Sequence, residues 1–178
     1  MDFEEKVIGT ERIFDGRVIS VRVDDVELPD GKKSKREIVG HHGGVGIIAV
    51  TPEREVFMVS QYRIAAKSMM LEIPAGKLEA SDTDTLTAGM RELEEETGYK
   101  ANNIVPLGTY YATPGYCEEK LTIYLATELE YVGQHLDTGE FLNVKKYPLD
   151  ELYNMVMNNE IYDCKTAIAI LKAKALLG

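Results

Sequence analysis

Residues 71–99 read LEIPAGKLEASDTDTLTAGMRELEEETGY and combine a short glycine-containing loop with a strongly acidic segment. On a helix, the carboxylates of Glu92, Glu95 and Glu96 share one face, because they are three or four positions apart. Like charges at these spacings destabilise a helix unless water or a cation compensates them. Hard divalent ions such as Mg²⁺ take oxygen ligands, often a few carboxylates together with substrate phosphates. The spacing therefore fits either a solvated acidic face or a face that binds a divalent cation.

This stretch resembles the Nudix box of the Nudix hydrolase superfamily. The box begins with a glycine and an intermediate glutamate and ends with Arg-Glu, an aliphatic residue, any residue, Glu-Glu, any residue, Gly and an apolar residue. Gly76 matches the first position, and residues 91–99, RELEEETGY, match the second half throughout. The middle departs from the pattern, because the distance from Gly76 to Arg91 is one residue longer and Asp82 replaces the glutamate.

Further segments resemble the ADP-ribose pyrophosphatase branch of that superfamily. Pro114 follows the box at a distance typical of this branch, within Thr113-Pro114-Gly115. The other matching segments are Gln61-Tyr62-Arg63, Glu72-Ile73-Pro74-Ala75-Gly76 and Tyr162-Asp163-Cys164-Lys165-Thr166-Ala167. The resemblance implies a metal-dependent hydrolase that cleaves the pyrophosphate of ADP-ribose, or of a related ADP-sugar, to AMP and ribose 5-phosphate.

Two other functions stay open at this point. One is a Nudix hydrolase of another nucleoside diphosphate derivative, such as a nucleotide sugar, a dinucleotide cofactor or an oxidised nucleotide. The other is a non-catalytic Nudix domain that senses a ligand. Pro114 and the N-terminal strands favour ADP-ribose over the first alternative. The intact group of carboxylates disfavours the second, because a pure binder has no need of a clustered anionic face.

Composition and charge narrow the class of protein. The net charge of −10 over 178 residues disfavours general nucleic-acid binding, which needs a basic surface. No apolar run is long enough to span a membrane, and residues 1–9, MDFEEKVIG, lack the pattern of a signal peptide. Cys117 and Cys164 have neither metal-ligand nor redox spacing, so we expect reduced thiols and a cytoplasmic location.

The order of apolar patterns predicts an α/β fold. Strands are predicted at residues 10–14, 17–28, 34–41, 45–50, 55–61, 70–73, 104–111, 120–128 and 140–145, and helices from 83 or 84 to 97, at 149–158 and at 163–177. Segments 45–50 and 55–61 are expected to form a hairpin. Strands, helix, strands and helices in that order suggest a mixed sheet sandwiched by helices, and the resemblance implies the Nudix α/β/α sandwich.

We expect two parts of unequal size. Residues 1–42 are predicted to form a small N-terminal antiparallel sheet for dimerisation and substrate contact, and residues 43–178 the Nudix hydrolase domain. Strands 10–41 are too few to close a core alone. Their apolar residues need cover from the Nudix core or from a second chain, and they are Ile13, Val18, Val21, Val23, Val26 and Ile38. In the ADP-ribose pyrophosphatase branch this sheet helps to form a homodimer.

The acidic helix carries two predictions. Leu86, Met90, Leu93 and Thr97 fall on one stripe, which we expect to face the core. Arg91 is expected to orient the neighbouring carboxylates rather than bind substrate.

The predicted metal ion is Mg²⁺, with Mn²⁺ as an alternative. Glu92 and Glu96 are the first-choice ligands, and Glu95 is expected to be shared or bridging and to take part in catalysis. The resemblance adds the backbone carbonyl of Ala75, because in the family the residue before the box glycine coordinates the metal.

Substrate contacts are predicted at Arg63, Arg36, Glu119 and Pro114. A guanidinium can grip phosphate oxygens with two parallel hydrogen bonds, which makes Arg63 a phosphate ligand, with a plain surface arginine as the alternative. Arg36 lies in the N-terminal strands, where it could reach a partner's anionic ligand.

The resemblance places the general base in the loop between the late strand and the helix that follows, here residues 134–140. Glu140 is the candidate and Asp137 the alternate. Solvated loop acids remain the alternative interpretation of both, as of Glu119.

Overall fold

The computed structural model describes residues 3–78, 82, 84–136, 139 and 141–178. In chain order the elements are β1 (Lys6–Asp15), β2 (Ile19–Glu27), β3 (Lys33–His41), β4 (Gly44–Ala49), β5 (Glu55–Arg63), β6 (Ser68–Glu72), β7 (Ala75–Lys77), α1 (Thr85–Thr97), β8 (Tyr99–Tyr111), β9 (Lys120–Tyr131), β10 (Leu142–Pro148), α2 (Leu149–Met157) and α3 (Cys164–Leu177). The chain divides into two compact units. The first holds the chain up to Gly43 together with Tyr111–Lys120, and the second holds Gly44–Tyr110 and Leu121–Gly178.

The first unit contains the antiparallel sheet that the N-terminal strand patterns predict, in the order β1-β2-β3. A tight turn joins β2 to β3, with Gly31 at a φ of 80°, a conformation that glycine adopts without strain. Segment 111–120 runs along the free edge of β3. Val39 donates its N–H to the Tyr116 carbonyl at 2.7 Å and accepts from Glu118 N–H at 2.9 Å, so the edge strand is covered within its own unit.

The second unit contains two sheets, with strand orders β7-β4-β9-β8 and β10-β5-β6. The first of these is mixed, because β4 pairs with β9 in parallel and with β7 in antiparallel register. The hairpin predicted from segments 45–50 and 55–61 is therefore wrong: β4 and β5 lie in different sheets, and pairing at their connection is limited to the bridge between Val50 and Val56 and a hydrogen bond from Thr51 N–H to the Glu55 carbonyl, within the described residues. All six residues of β4 are buried, as expected of a central strand that is covered on both faces.

Helices cover both faces of β4. Ile47 and Ala49 pack with Leu93 of α1, whereas Ile48 packs in a second cluster with Leu152 of α2 and residues of α3. Alternate residues of a strand point to opposite faces, so the two clusters lie on opposite sides of the sheet. This arrangement is the predicted α/β/α sandwich. No helix in the described ranges is long and apolar enough to cross a membrane.

Helix α1 turns its acidic face inward. Asp84 caps its first turn by accepting from Thr87 N–H at 2.8 Å, and Gly98 ends it in the left-handed conformation. The predicted core stripe is wrong in part, because Leu86 and Met90 are exposed. The helix instead approaches β4 through its small residues: a Cβ on Gly89 would lie only 3.0 Å from Val45 Cγ2.

Candidate metal and substrate site

Two buried carboxylates of α1 lie against the loop that begins β7. Glu96 accepts a hydrogen bond from the Ala75 N–H at 3.1 Å. Glu92 lies so close to Gly76 that a Cβ there would come within 1.8 Å of Glu92 Oε1. Glu92 and Glu96 are only 8% and 2% exposed. Glycine at position 76 is thus required sterically, since any side chain would expel the Glu92 carboxylate from its place.

Arg91 gathers three acidic side chains around one guanidinium. It contacts Glu95 Oε2 at 2.7 Å, Glu92 Oε1 at 2.9 Å and Asp82 Oδ2 at 3.3 Å. Burial lowers the pKa of Arg91, but the hydrogen bond to Asp82 and the charges of Glu92 and Glu95 outweigh it and raise the pKa above its ordinary value. Arg91 therefore makes the contacts with carboxylates that the sequence predicts.

Asp82 joins this cluster although one extra residue separates Gly76 from Arg91. Its side chain is almost fully buried and meets the Arg91 guanidinium through both carboxylate oxygens. The substitution of Asp82 for the glutamate of the box pattern therefore still supplies a carboxylate to this arginine.

The segment that precedes the predicted general bases is fixed on the C-terminal end of α1. Gln134 donates its side-chain N–H to the Glu96 carbonyl at 2.6 Å, and His135 donates its backbone N–H to the Glu95 carbonyl at 3.1 Å. These bonds satisfy helix carbonyls that have no partner within the helix. Asp137 and Glu140 themselves lie outside the described residues, so their predicted role stays a prediction.

Arg63 ends β5 and pairs with a buried carboxylate at the end of β6. Its Nε and Nη2 donate to Glu72 Oε1 and Oε2 at 2.7 and 2.9 Å. Lys165, at the start of α3, donates to the same Glu72 carboxylate at 2.5 Å. Burial acts to raise the pKa of Glu72, but the hydrogen bond from Arg63 and the charge of Lys165 prevail and lower it. Arg63 is therefore more than a solvated arginine at a strand end.

Sequence reasoning missed Glu72 and Lys165 as members of this cluster. The sequence does carry a signal, because Glu72 lies between two apolar residues, Leu71 and Ile73, at the end of a strand. A charged residue in such a position is rarely buried without a partner of opposite charge. The partner could not be named from the sequence, because Lys165 is 93 positions away.

In the first unit, the predicted substrate residues Arg36 and Pro114 line one cavity of about 350 Å³, together with Arg22 and Tyr116. Arg36 is held by Glu5 through two hydrogen bonds of 2.6 and 2.8 Å, and this contact raises the pKa of Arg36 above its ordinary value.

Glu119 is not among the residues that line this cavity. Its carboxylate lies 3.8 Å from His41 Nδ1, which accepts a hydrogen bond from Gly43 N–H. The structure thus brings Arg36 and Pro114 together and places Glu119 apart from them.

Comparison with known families agrees with these features. The NUDIX domain family matches residues 40–164, which include the whole acidic box. The chain belongs to the Nudix family. Residues 5–39 match the N-terminal domain of nucleoside diphosphate sugar hydrolases, which corresponds to the sheet of β1, β2 and β3. The resemblance read from the box residues is confirmed.

Several relatives align with nearly the whole length of this Nudix protein. An ADP-ribose pyrophosphatase of Bacillus subtilis is 46% identical over 94% of this chain and 91% of its own length. A methanol dehydrogenase activator of Bacillus methanolicus is also 46% identical, with the same coverage of both chains. Among solved structures, the crystal structure of an ADP compounds hydrolase superposes with a TM-score of 0.86 at 20% identity, covering 99% of this chain and 96% of that one. This likeness confirms the fold.

Nudix hydrolases generally use divalent metal ions, and the donors at the box fit such an ion. The carboxylates and the loop backbone offer oxygen ligands alone, which hard cations prefer, and Gly76 leaves room for one carboxylate at the loop. No group of three or more His, Cys, Asp or Glu side chains in the described ranges is arranged as a metal cluster. Arg91 instead holds Glu92 and Glu95, so a bound ion would compete with this arginine for them.

A Gly76→Ala variant tests whether the position of Glu92 matters for metal binding. The heavy atoms nearest to the new methyl group all belong to the flexible end of Glu92, so we expect the fold to persist. Affinity for Mn²⁺, used as a probe and measured by calorimetry, should fall roughly 10- to 100-fold, as it does when a group that positions ligands is lost.

Gly9→Ala is the matched control, because a Cβ at Gly9 meets only the Asp25 side chain, at 3.5 Å. Equal Mn²⁺ affinity in the two variants would contradict a metal role for Glu92.

A Glu72→Gln variant tests the buried ion pairs of Arg63 and Lys165. Removing the anion takes from Arg63 the carboxylate that it binds through two hydrogen bonds and leaves Lys165 with Asp163 as its anion, so we expect the free energy of unfolding in urea to fall by about 3 kcal/mol at neutral pH. Glu55→Gln is the control, because Glu55 pairs with Lys146 at 3.2 Å on the surface, where such pairs contribute less than about 1 kcal/mol.

The contribution of Glu72 to the free energy of unfolding should also depend on pH. The pKa of Glu72 is lowered by folding, so its stabilising contribution is complete above the ordinary glutamate pKa of about 4.3. That contribution is lost as the pH falls through the lower pKa of the folded state. The difference in stability between wild type and Glu72→Gln should therefore shrink on acidification below about pH 4. A difference that is constant with pH would show that the charge of Glu72 does not stabilise the fold.

Proposed function

We propose that this Nudix protein hydrolyses the pyrophosphate of ADP-ribose, or of a related ADP-sugar, to AMP and ribose 5-phosphate. Mg²⁺ is the proposed metal, with Mn²⁺ able to replace it, and the cytoplasm the proposed location. The observation that carries the proposal is the convergence of Glu92, Glu95 and Glu96 of α1 on the Ala75–Gly76 loop and on Arg91. The name of the relative from Bacillus subtilis and the match of residues 5–39 support the choice of substrate.

The proposed metal ligands are Glu92, Glu95, Glu96 and the Ala75 carbonyl. A bound divalent ion would neutralise charge on the phosphates and lower the pKa of a bound water. The chain prepares this by holding the carboxylates in place before any ligand binds, through Arg91 and the Ala75 N–H. Glu96 is kept at the start of β7 in this way, whereas Glu92 and Glu95 would exchange contacts with Arg91 for the ion.

Arg63 is proposed to hold the pyrophosphate. Glu72 binds one edge of the Arg63 guanidinium, but the Arg63 side chain is still 44% exposed. The other edge of the guanidinium is therefore accessible to phosphate oxygens. Arginine suits this role because its planar fork matches the spacing of two such oxygens. Arg36, Pro114 and Glu119 are proposed as further substrate contacts.

The general base is proposed to come from the loop that follows His135, with Glu140 first and Asp137 as alternate. Just before this loop, Gln134 and His135 donate hydrogen bonds to the backbone carbonyls of Glu96 and Glu95, two of the proposed metal ligands. A carboxylate close to the reacting water could accept its proton.

A panel of substrates tests this assignment against the alternatives. ADP-ribose, ADP-glucose, NADH, diadenosine polyphosphates and an oxidised nucleoside triphosphate should be compared with Mg²⁺, with the products identified. We expect the highest kcat/KM for ADP-ribose or another ADP-sugar and poor turnover of the triphosphate. Faster cleavage of the triphosphate would overturn the assignment, and binding without cleavage of any member would favour a ligand sensor.

A Glu96→Gln variant should lower kcat by about 100-fold, since the change removes a metal-ligating charge and preserves the shape. The temperature of unfolding should stay the same or rise, because repulsion between carboxylates on α1 is relieved.

Glu94→Gln serves as the control on the same helix, because Glu94 pairs with Lys100 instead of the loop. We expect it to keep the wild-type kcat. Near-normal turnover by Glu96→Gln would remove the metal assignment.

We further propose that the protein is a homodimer that associates through the N-terminal sheet. Phe14, Val21 and Val39 are cross-strand partners and form an apolar row on one face of the sheet. Phe14 is 54% exposed, and Val7 and Ile13 of the same strand are 60% and 56% exposed. Exposed apolar side chains at this density are typical of an interaction surface.

Phe14→Lys should convert the dimer to a monomer, because it replaces the exposed aromatic side chain of the apolar row with a charge. Sedimentation velocity measures the change, and circular dichroism should show that the fold persists. Phe3→Lys makes the same substitution at an exposed position before β1 and should leave the dimer intact. A wild-type protein that sediments as a monomer at assay concentrations would contradict the proposal.

A further inference from the structure

We propose that Glu72, Lys165 and Asp163 are positioning residues that present one edge of the Arg63 guanidinium to the substrate pyrophosphate. This inference rests on the proposed function, in which Arg63 binds the phosphates. The three residues do not contact substrate in this proposal and act only through Arg63.

The geometry of Glu72 fixes the plane of the Arg63 guanidinium. Each oxygen of the Glu72 carboxylate accepts from a different nitrogen of Arg63, at 2.7 and 2.9 Å. Two parallel bonds of this kind determine orientation as well as distance. The remaining N–H groups of Arg63 make no hydrogen bond to the described part of the chain, so the edge formed by Nη1 and Nη2 is available to a ligand.

Lys165 fixes the Glu72 carboxylate in turn. Its Nζ lies 2.5 Å from Glu72 Oε2 and 3.0 Å from Asp163 Oδ2, and the lysine side chain is only 10% exposed. Lys165 binds the same Glu72 oxygen that Arg63 Nη2 binds, so rotation of the carboxylate would break bonds to both cations. In a buried site such losses are not replaced by water.

Asp163 and Thr166 connect this cluster to the backbone near the box loop. Asp163 accepts from the Thr166 backbone N–H at 3.0 Å and from its hydroxyl. The Thr166 hydroxyl oxygen accepts from Ile73 N–H at 2.9 Å. Ile73 directly follows Glu72 and lies two positions before Ala75. The same network therefore sets the position of Arg63 relative to the strand that leads to the proposed metal ligands.

The pKa of Arg63 is consistent with a position beside the proposed metal ligands. The pKa of Arg63 is raised above its ordinary value, first by the hydrogen bond to Glu72 and in smaller part by the charges of Asp163 and Glu96. Arg63 is thus within electrostatic reach of a box carboxylate. A cation there can hold a phosphate beside a metal ion bound at Glu96.

A double-mutant cycle separates positioning from a merely structural role. Lys165→Met removes the ammonium and keeps most of the stem, and Arg63→Lys removes the guanidinium fork but keeps a cation beside Glu72. We expect each change to raise the KM for ADP-ribose roughly 10-fold with a much smaller change in kcat.

In the Arg63→Lys background, Lys165→Met should cost little more, because its effect passes through the missing guanidinium. If the two effects on kcat/KM multiply instead, Lys165 does not act through Arg63 and the proposal is overturned. Lys146→Met is the control, since Lys146 pairs with Glu55 on the surface, and it should keep the wild-type KM.

Asp163→Asn gives a milder version of the test. Asparagine caps a helix as well as aspartate does, so α3 should persist while Lys165 loses one of its two anions. We expect a smaller rise in KM than for Lys165→Met and no change in kcat. A decrease in kcat with an unchanged KM would contradict a role in positioning Arg63.

A spectroscopic measurement tests the orientation of Arg63 separately from the proposed function. The ¹⁵N signal of Arg63 Nε–H reports its hydrogen bond to Glu72 in the absence of substrate. It should shift in folded Lys165→Met and stay in place in Lys146→Met, and an unchanged signal in folded Lys165→Met would overturn the proposal. A wild-type protein that fails to cleave ADP-ribose would reject the proposed function, whereas this signal would still decide whether Lys165 orients Arg63.

Discussion

The contact between Arg91 and the carboxylates of α1 is the interaction on which the candidate site depends. Asp82, Glu92 and Glu95 all meet this one guanidinium, at 3.3, 2.9 and 2.7 Å. Repulsion among acids on one helix face would otherwise weaken α1, and burial would penalise each charge further. One guanidinium serves several carboxylates because its N–H groups fan out in a plane. The group remains more negative than positive, and this suits it to a further cation.

The need to place these acids at the loop explains local choices in the backbone. Gly76 has no side chain where Glu92 needs room, and Gly89 lets α1 approach β4. The Pro74 carbonyl accepts from Ile47 N–H at 2.9 Å, which ties the loop to the central strand. Small residues and backbone hydrogen bonds therefore bring a charged helix face to the sheet, where an ordinary helix would place leucines.

Features set by nearby residues could be predicted from the sequence, and features set by distant ones could not. The acidic helix, its start at residue 83 or 84 and the N-terminal sheet follow from spacing and turn residues within a few positions. The parallel pairing of β4 with β9 joins segments far apart in the chain, whereas the short connection at residues 51–54 predicts a hairpin that the sheets do not contain. The exposed Leu86 shows the same limit, since the inward face of α1 is chosen by the loop and by Arg91 rather than by hydrophobicity. Lys165 could not be identified as a partner of Glu72 from the sequence, because the two residues are 93 positions apart.

Arg63 and Arg91 differ in the charge that surrounds them, and this difference decides which one suits a phosphate. Arg91 faces three carboxylates with a single positive charge, so a phosphate brought to it would meet net negative charge. Arg63 shares its cluster with Lys165, and together they balance Glu72 and Asp163. An anion at the open edge of Arg63 therefore meets a neutral group and unused N–H donors.

A pyrophosphate between the two clusters would have its charge shared by arginine on one side and by a metal ion at the box on the other. In the proposed function, Arg91 would hold negative charge where the cation binds, and Lys165 would leave Arg63 able to hold the anion.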